Sequence, residues 1–242
     1  MPVDSPGNLT EVTERTLKLA SKPPGEISPK GFQRIGIRVP HVRALVKQGY
    51  PFLTKSPSSV INVWDYIWNN TEYYEVAQQA IYYYQHRTLS KAEFTKIKHW
   101  IKRCDCWEHS DDLSKIYAQV LEDNPEWILP TLKTWNRARS PWKRRQSIVG
   151  LIEYASKRKR ILPFNKLIQF VTPLLGDNDY YVQKGIGWTL REIYNVYPAK
   201  TLSYIEANLL SLSASAYSAS TEKTDKQTKA RLNEIRRQHR SS

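Results

Sequence analysis

The sequence predicts an all-α fold, and three observations carry that prediction. Apolar residues recur at the three- and four-residue spacing of a helix along most of the chain. Alternating runs of four or more residues, the mark of a half-buried strand, are absent. Only 9 glycines stand among 242 residues, and Pro125, Pro141, Pro163 and Pro198 fall where helices begin rather than inside them.

The elements follow in order. Residues 1–8 are rich in Pro, Ser and Gly and read as a loose terminus. Leu9, Val12, Leu17 and Leu19 give a first helix over 9–21 its apolar side, and Pro23-Pro24-Gly25 ends it. A loop containing Gly31 and Gly36 follows, and Pro40 opens a short second helix. The next helix spans 58–69, with Ser58 or Ser59 as its cap and Val60, Val63, Trp64 and Ile67 inward. Further helices are predicted over 73–85, 90–102, 111–121, 125–138, 141–155, 163–174, 179–197 and 198–209. Joints are short and the helices pair every 30–40 residues, which is the pattern of an α-solenoid of HEAT-like repeats. One continuous body is expected over 1–212, curved around a concave basic groove. Residues 213–242 turn to Ser, Thr, Lys and Arg and read as a basic tail, with a frayed helix from about residue 221.

Charge narrows the partners. Lys and Arg number 37 against 23 Asp and Glu, a formal net charge of +14. A chain this basic suits phosphate or an acidic surface. Lys133, Arg137, Arg139, Lys143, Arg144, Arg145, Lys157, Arg158, Lys159 and Arg160 form a stripe opposed only by Glu153, and Arg34, Arg38, Arg43 and Lys47 form a second cluster. Such a stripe on a concave helical body fits a duplex backbone, because arginine grips phosphate bidentately and counterion release drives binding. A solvated charged face is the alternative. The N-terminal segment has no apolar core of a signal peptide, and no apolar run reaches the roughly 20 residues that span a bilayer. Cys104 and Cys106 are too close to bridge without strain, so both read as reduced thiols of a cytoplasmic protein.

Few residues are placed for chemistry. Trp107 and Asp111 stand four apart, so on a helix an indole and a carboxylate share a face. That pair, in a basic protein, suits stabilising a cation held against a polyanion. Asp111 also stands where the predicted helix starts, so capping is its other reading. Trp188 sits between Gly185, Gly187 and Leu190. Two glycines inside a helix cost about 1 kcal/mol each, which points to a close approach there by a neighbouring helix or a ligand. Trp142 and Arg145 lie one turn apart, so the guanidinium can rest against the indole as a phosphate clamp or belong to the basic stripe. His99, Cys104, Cys106 and His109 lack the spacing of a zinc site, and no metal is expected. No phosphate-binding glycine loop, Ser-His-Asp pattern or H-E-x-x-H is present.

At these residues the chain resembles the AlkD-type DNA alkylation repair glycosylases, all-helical proteins of HEAT-like repeats. The likeness runs from Gly31 to about Leu212. It is carried by Arg34-Ile35-Gly36-Ile37-Arg38-Val39-Pro40 with Arg43, by Trp107-x-x-x-Asp111, by Trp142-Lys143-Arg144-Arg145 and by Val182 to Glu192. The resemblance implies an active site of Trp107, Asp111, Arg145 and Trp188. It implies DNA contacts from Arg38, Arg43, Arg137, Lys143, Arg144 and Lys184. Where relatives often read W-D-x-V-D, this chain has Trp107-Glu108-His109-Ser110-Asp111, which is more polar.

The activity so implied is excision of N3- or N7-alkylated purines from duplex DNA. Such a base is already cationic and leaves without protonation, so the deoxyribose is what needs help. Asp111 would stabilise its oxocarbenium character and position water, Trp107 and Trp188 would line the sugar, and Arg145 would hold the phosphate. No cofactor is implied, and the protein is expected to act as a cytoplasmic, nucleoid-associated monomer. A HEAT-like scaffold that binds damaged or branched DNA without chemistry is the alternative, and a solenoid for an acidic protein partner is a third.

Overall fold

The computed structural model describes residues 4–25, 31–152 and 160–238. Among these it holds thirteen α-helices: α1 (Ser5–Leu17), α2 (Val39–Gln48), α3 (Pro57–Asn70), α4 (Tyr74–Tyr84), α5 (Lys91–Ile97), α6 (Trp107–Asp123), α7 (Pro125–Asn136), α8 (Pro141–Ile152), α9 (Phe164–Val171), α10 (Tyr180–Val196), α11 (Pro198–Ala207), α12 (Ala214–Ser220) and α13 (Lys226–Gln238). Short 3-10 turns occupy Pro51–Thr54, Trp100–Arg103 and Thr172–Leu174. No strand occurs among the described residues; Gln33 and Tyr73 make one isolated parallel bridge. None of the described helices is long and apolar enough to cross a membrane. Lys157, Arg158, Lys159 and Glu153 of the predicted stripe lie outside the described residues.

Capping chemistry sets the helix starts, and it moves several of them. Asp4 caps α1, its carboxylate accepting from the Gly7 N–H at 2.9 Å, so the helix begins before Leu9. Ser56, rather than Ser58 or Ser59, caps α3 by accepting from the Ser59 N–H at 3.3 Å. Ser90 and Glu93 form a reciprocal capping box at α5. Asp179 caps α10 by accepting from the N–H groups of Tyr181 and Val182.

The chain divides into two compact units, Met1–Ile116 and Tyr117–Ser242. In the first, α3 packs against α1, α4 and α5, and its indoles make the centre of the core. Trp64 and Trp68 are fully buried. Trp68 stacks on Trp100 with ring centres 5.3 Å apart and donates its indole N–H to the Trp100 carbonyl at 3.1 Å. Trp100 in turn donates to the Asp65 carboxylate at 2.8 Å, so the indole N–H groups of Trp68 and Trp100 are both satisfied.

In the second unit α10 is the axis, packed against α8, α9, α11 and α12. Gly187 explains the approach of α12. A Cβ there would stand 2.7 Å from the Ala216 carbonyl oxygen and 2.7 Å from the Ala219 Cβ. Of the two candidates for the close approach at Gly187, a ligand or a helix, the neighbour is a helix.

Residues 213–242, read from composition as a tail, contribute two packed helices to this unit. Ser213 caps α12, and Leu232 of α13 is fully buried. Arg236 donates to the carbonyls of Leu209 and Leu212, and its guanidinium lies 4.5 Å from the Tyr217 ring centre. Small residues in α12 that look like low complexity are the ones that permit contact with Gly187. The boundary at 212 therefore does not coincide with either unit's limit.

Gly187→Ala tests this packing. Alanine should gain about 1 kcal/mol of helix propensity. Overpacking against a carbonyl that cannot move alone should cost more, about 1–3 kcal/mol. Denaturant unfolding should show net destabilisation. Gly176→Ala, where a Cβ would meet nothing within 4 Å, serves as the control.

Candidate active site

The α6 helix begins at Trp107, with the Ser110 N–H donating to the Cys106 carbonyl at 3.4 Å. This changes the reading of Asp111. It lies a full turn inside the helix, so it does not cap it. Helical periodicity then sorts the first turn. Trp107 is 50% exposed, Asp111 is half-buried one turn on, and between them His109 and Ser110 point inward and are fully buried. The indole and the carboxylate thus share the outer side of α6, while the two residues expected to make that side polar do not lie on it.

His109 fills an aromatic box. Its ring stacks on Tyr74 at 4.2 Å and meets Phe32 and Trp68 at 5.1 Å each. Neither ring nitrogen has a hydrogen-bond partner of normal geometry. Burial pushes the imidazole down to about 3, partly offset by the nearby Tyr74 backbone and reinforced by Arg34 and Arg103, so His109 is neutral. Burial likewise pushes the Cys106 thiol up.

Asp112, next to Asp111, is the carboxylate that serves the fold. It accepts from Gln78 at 2.5 Å, Gln85 at 3.0 Å and Lys115 at 2.7 Å. Gln85 also accepts from Arg43 at 3.1 Å, and the Arg43 guanidinium lies 3.9 Å from the Tyr82 ring centre. Glu75 is a further polar residue that sequence reasoning missed. Its buried carboxylate accepts from the N–H groups of Ile35 (2.8 Å), Gly36 (2.7 Å) and Ile37 (3.3 Å). Gly36 has φ +85°, a conformation that favours glycine. Together they fix the loop bearing Arg34 and the exposed Arg38. Arg34 pairs with Glu108 at 2.9 Å and lies over the Tyr74 ring at 4.1 Å; the carboxylate outweighs the opposing effect of burial and holds the guanidinium above its ordinary value. The signal in the sequence was a helix, α4, carrying Glu75, Gln78 and Gln79 on an otherwise apolar course.

The second unit holds the other two residues singled out. Arg145 is only 4% exposed, and it donates to the Tyr181 carbonyl at 2.7 Å. Its guanidinium lies 6.0 Å from the centre of the partly exposed Trp188 ring. Gly185 makes room for it, since a Cβ there would stand 3.2 Å from both the Cγ and Nη1 of Arg145. The Trp188 indole thus lies near Arg145, and Trp142, one turn before Arg145 in the chain, meets Tyr181 at 4.9 Å.

Arg144 differs from its neighbour. It grips Asp177 bidentately at 2.5 and 3.1 Å, and its third nitrogen donates to the carbonyls of Ala138 (2.9 Å) and Arg139 (2.7 Å). Those bonds hold Arg144 above its ordinary value, and on Asp177 they outweigh burial to hold the carboxyl low. Every guanidinium nitrogen of Arg144, expected among the DNA contacts, donates a hydrogen bond within the fold. Arg137 and Lys184 are exposed and Lys143 is half-buried. Trp107, Asp111, Arg38 and Arg43 thus belong to the first unit, and Arg145, Trp188, Arg137, Lys143 and Lys184 to the second.

A family model described as "DNA alkylation repair enzyme" matches residues 11–224. Among solved structures, AlkD2 from Streptococcus mutans is 16% identical, with a TM-score of 0.60 over 90% of this chain and 99% of that one. A predicted DNA alkylation repair enzyme from Enterococcus faecalis is 18% identical, with a TM-score of 0.66 over 91% of this chain and 96% of that one. At such identities the likeness is one of fold. No curated protein matches the sequence.

The buried imidazole gives a pH dependence of known sign. As pH falls below about 6.5 the unfolded chain protonates His109, while the folded protein resists until about 3. Stability is therefore full above pH 6.5 and declines as pH falls through that window, by up to about 1.4 kcal/mol per unit for one proton. Chemical denaturation from pH 7 to 4.5, with chelator present, should show this slope. His109→Gln, tested where its circular dichroism spectrum matches wild type, should flatten it.

Proposed function

The chain belongs to the DNA alkylation repair enzyme family, and from that premise we propose that it is a DNA glycosylase releasing cationic N3- or N7-alkylated purines from duplex DNA. The observation that carries the reading is the Trp107–Asp111 pair, an exposed indole and a carboxylate one turn apart on α6, with Asp111 relieved of any capping duty. A cationic purine is a good leaving group as it stands, so no general acid is needed. What the reaction develops is positive charge on the deoxyribose. The Asp111 carboxylate opposes that charge and orients the attacking water. Trp107 offers an electron-rich face to the sugar.

The second unit contributes its own part. Arg145, held by the Tyr181 carbonyl and flanked by Trp188, holds a backbone phosphate in a fixed direction. Trp188 gives a second aromatic face. Arg38 and Arg43 of the first unit, and Arg137, Lys143 and Lys184 of the second, each supply sequence-independent phosphate contacts. The protein acts as a monomer in the cytoplasm, where DNA binding associates it with the nucleoid.

Asp111→Asn is the decisive variant, assayed by single-turnover release of free base from duplex containing N7-methylguanine. The amide keeps the shape and removes the charge. Excision should fall by about a hundredfold or more, with DNA affinity and melting temperature close to wild type. Trp107→Ala and Trp188→Ala should each cost less, about 0.5–2 kcal/mol in the barrier. Wild-type protein that binds DNA yet frees no base would make it a non-catalytic DNA-binding scaffold, and normal excision by Asp111→Asn would remove the carboxylate from the chemistry.

The arginines separate in a second measurement. Lys184→Ala should reduce the slope of log affinity against log salt by about 1, the loss of one phosphate contact. Arg144→Ala should lower the melting temperature and leave that slope nearly unchanged, because its guanidinium is spent on Asp177.

A further inference from the structure

We propose that Asp105, Cys106 and His109, at the start of α6, bind a thiophilic divalent cation of the zinc type. The observation is a cluster. One carboxylate oxygen, one thiol sulfur and one imidazole nitrogen from these residues all lie within 4.8 Å of one another. Cys106 and His109 are three residues apart at the first turn, so they share a side of the helix, and Asp105 immediately precedes them. A thiolate, an imidazole and a carboxylate are the donor types that zinc accepts, and three protein ligands leave a fourth position for water.

His109 supplies an independent reason. It is fully buried, and neither ring nitrogen has a hydrogen-bond partner of normal geometry. A buried polar group so poorly satisfied is costly and points to a ligand. The walls of Phe32, Tyr74 and Trp68 already fix the ring plane, which removes the orientational cost of ligation.

Charge balance allows the ion despite two neighbouring guanidiniums. On ligation the Cys106 Sγ–H bond breaks, the Sγ–metal bond forms and the proton leaves to solvent. No oxidation state changes. The thiolate and the Asp105 carboxylate then cancel a 2+ ion. Arg34 is already paired with Glu108, and Arg103 donates to the carbonyls of Trp68 and Thr71, so both face a neutral cluster. The bound ion would pin the first turn of α6, whose outer side carries Trp107 and Asp111. The proposal does not depend on the excision reading. Sequence reasoning set zinc aside because the C-x-C spacing is tight and no further cysteine completes a usual pattern; the cluster takes only Cys106 and His109 of the four residues weighed there and adds Asp105.

The test uses the purified full chain, stripped with chelator and then titrated. Zn2+ competing with a chromogenic chelator should bind at one ion per chain. Co2+ in its place should give thiolate-to-cobalt charge transfer in the near ultraviolet and the intense visible bands of a four-coordinate ion. Removing an outer-shell partner of a metal site typically weakens it 10- to 100-fold. Loss of a direct ligand in Cys106→Ser should therefore weaken Zn2+ by more than about a hundredfold and abolish the charge-transfer band. Asp105→Asn should weaken binding too, and Cys104→Ser should leave both signals intact. His109→Gln removes a buried side chain and can unfold the protein, so Cys106→Ser and Asp105→Asn, each with an unchanged circular dichroism spectrum, carry the test. Absence of the charge-transfer band, or its survival in Cys106→Ser, would overturn the site.

Discussion

The second unit rests on how closely α10 lets its neighbours approach. At Gly187 the backbone of α12 comes within the space a side chain would need, and at Gly185 the same missing atom admits Arg145. Two glycines two residues apart, about 200° around the helix, therefore do different work on different sides. One seats a helix and the other a guanidinium. Each glycine costs about 1 kcal/mol of helix propensity, and the packing of a whole helix and a buried arginine outweighs it. Because the two lie on one rigid helix, the position of Arg145 beside Trp188 is tied to the packing of the C-terminal helices. A segment that composition marks as a basic tail thus stands behind one of the residues proposed to meet DNA.

In the first unit the comparable constraint is the starting point of α6. Beginning at Trp107 rather than at Asp111 turns the whole segment by its own periodicity. Trp107 and Asp111 face out and His109 and Ser110 face in. Had the helix begun at Asp111, its carboxylate would have been spent on backbone N–H groups in the first turn. The adjacent Asp112, turned by about 100° along the helix, instead carries two glutamines and a lysine on its carboxylate.

Charge is sorted in the same way. A run of basic residues in the sequence is one class, yet the fold spends Arg144 on Asp177 and on two carbonyls, and Arg236 on the end of α11 and the loop after it. Arg34 lies on Tyr74 and pairs with Glu108. Lys184 and Arg137 remain at the surface. Net charge of +14 makes the chain a partner for polyanions, but only the unspent cations answer for a given phosphate.

Much of the fold was legible in the chain. Apolar spacing placed eleven of the helices, since helix formation is decided by residues three and four apart. The order of motifs carried the family. Trp107 and Asp111 could be paired because a fixed rise and turn put them on one side. What the sequence could not decide was everything set by a partner far along the chain. Glu75 is forty residues from the N–H group of Ile35 that it satisfies, and Arg144 is thirty-three from Asp177. Nothing local says that Trp188 stands near Arg145, or that Ala216 is what Gly187 waits for. Periodicity is a property of neighbours and can be read in one dimension. Hydrogen-bond satisfaction and close packing are properties of pairs brought together by folding, and only the tertiary structure names the pairs.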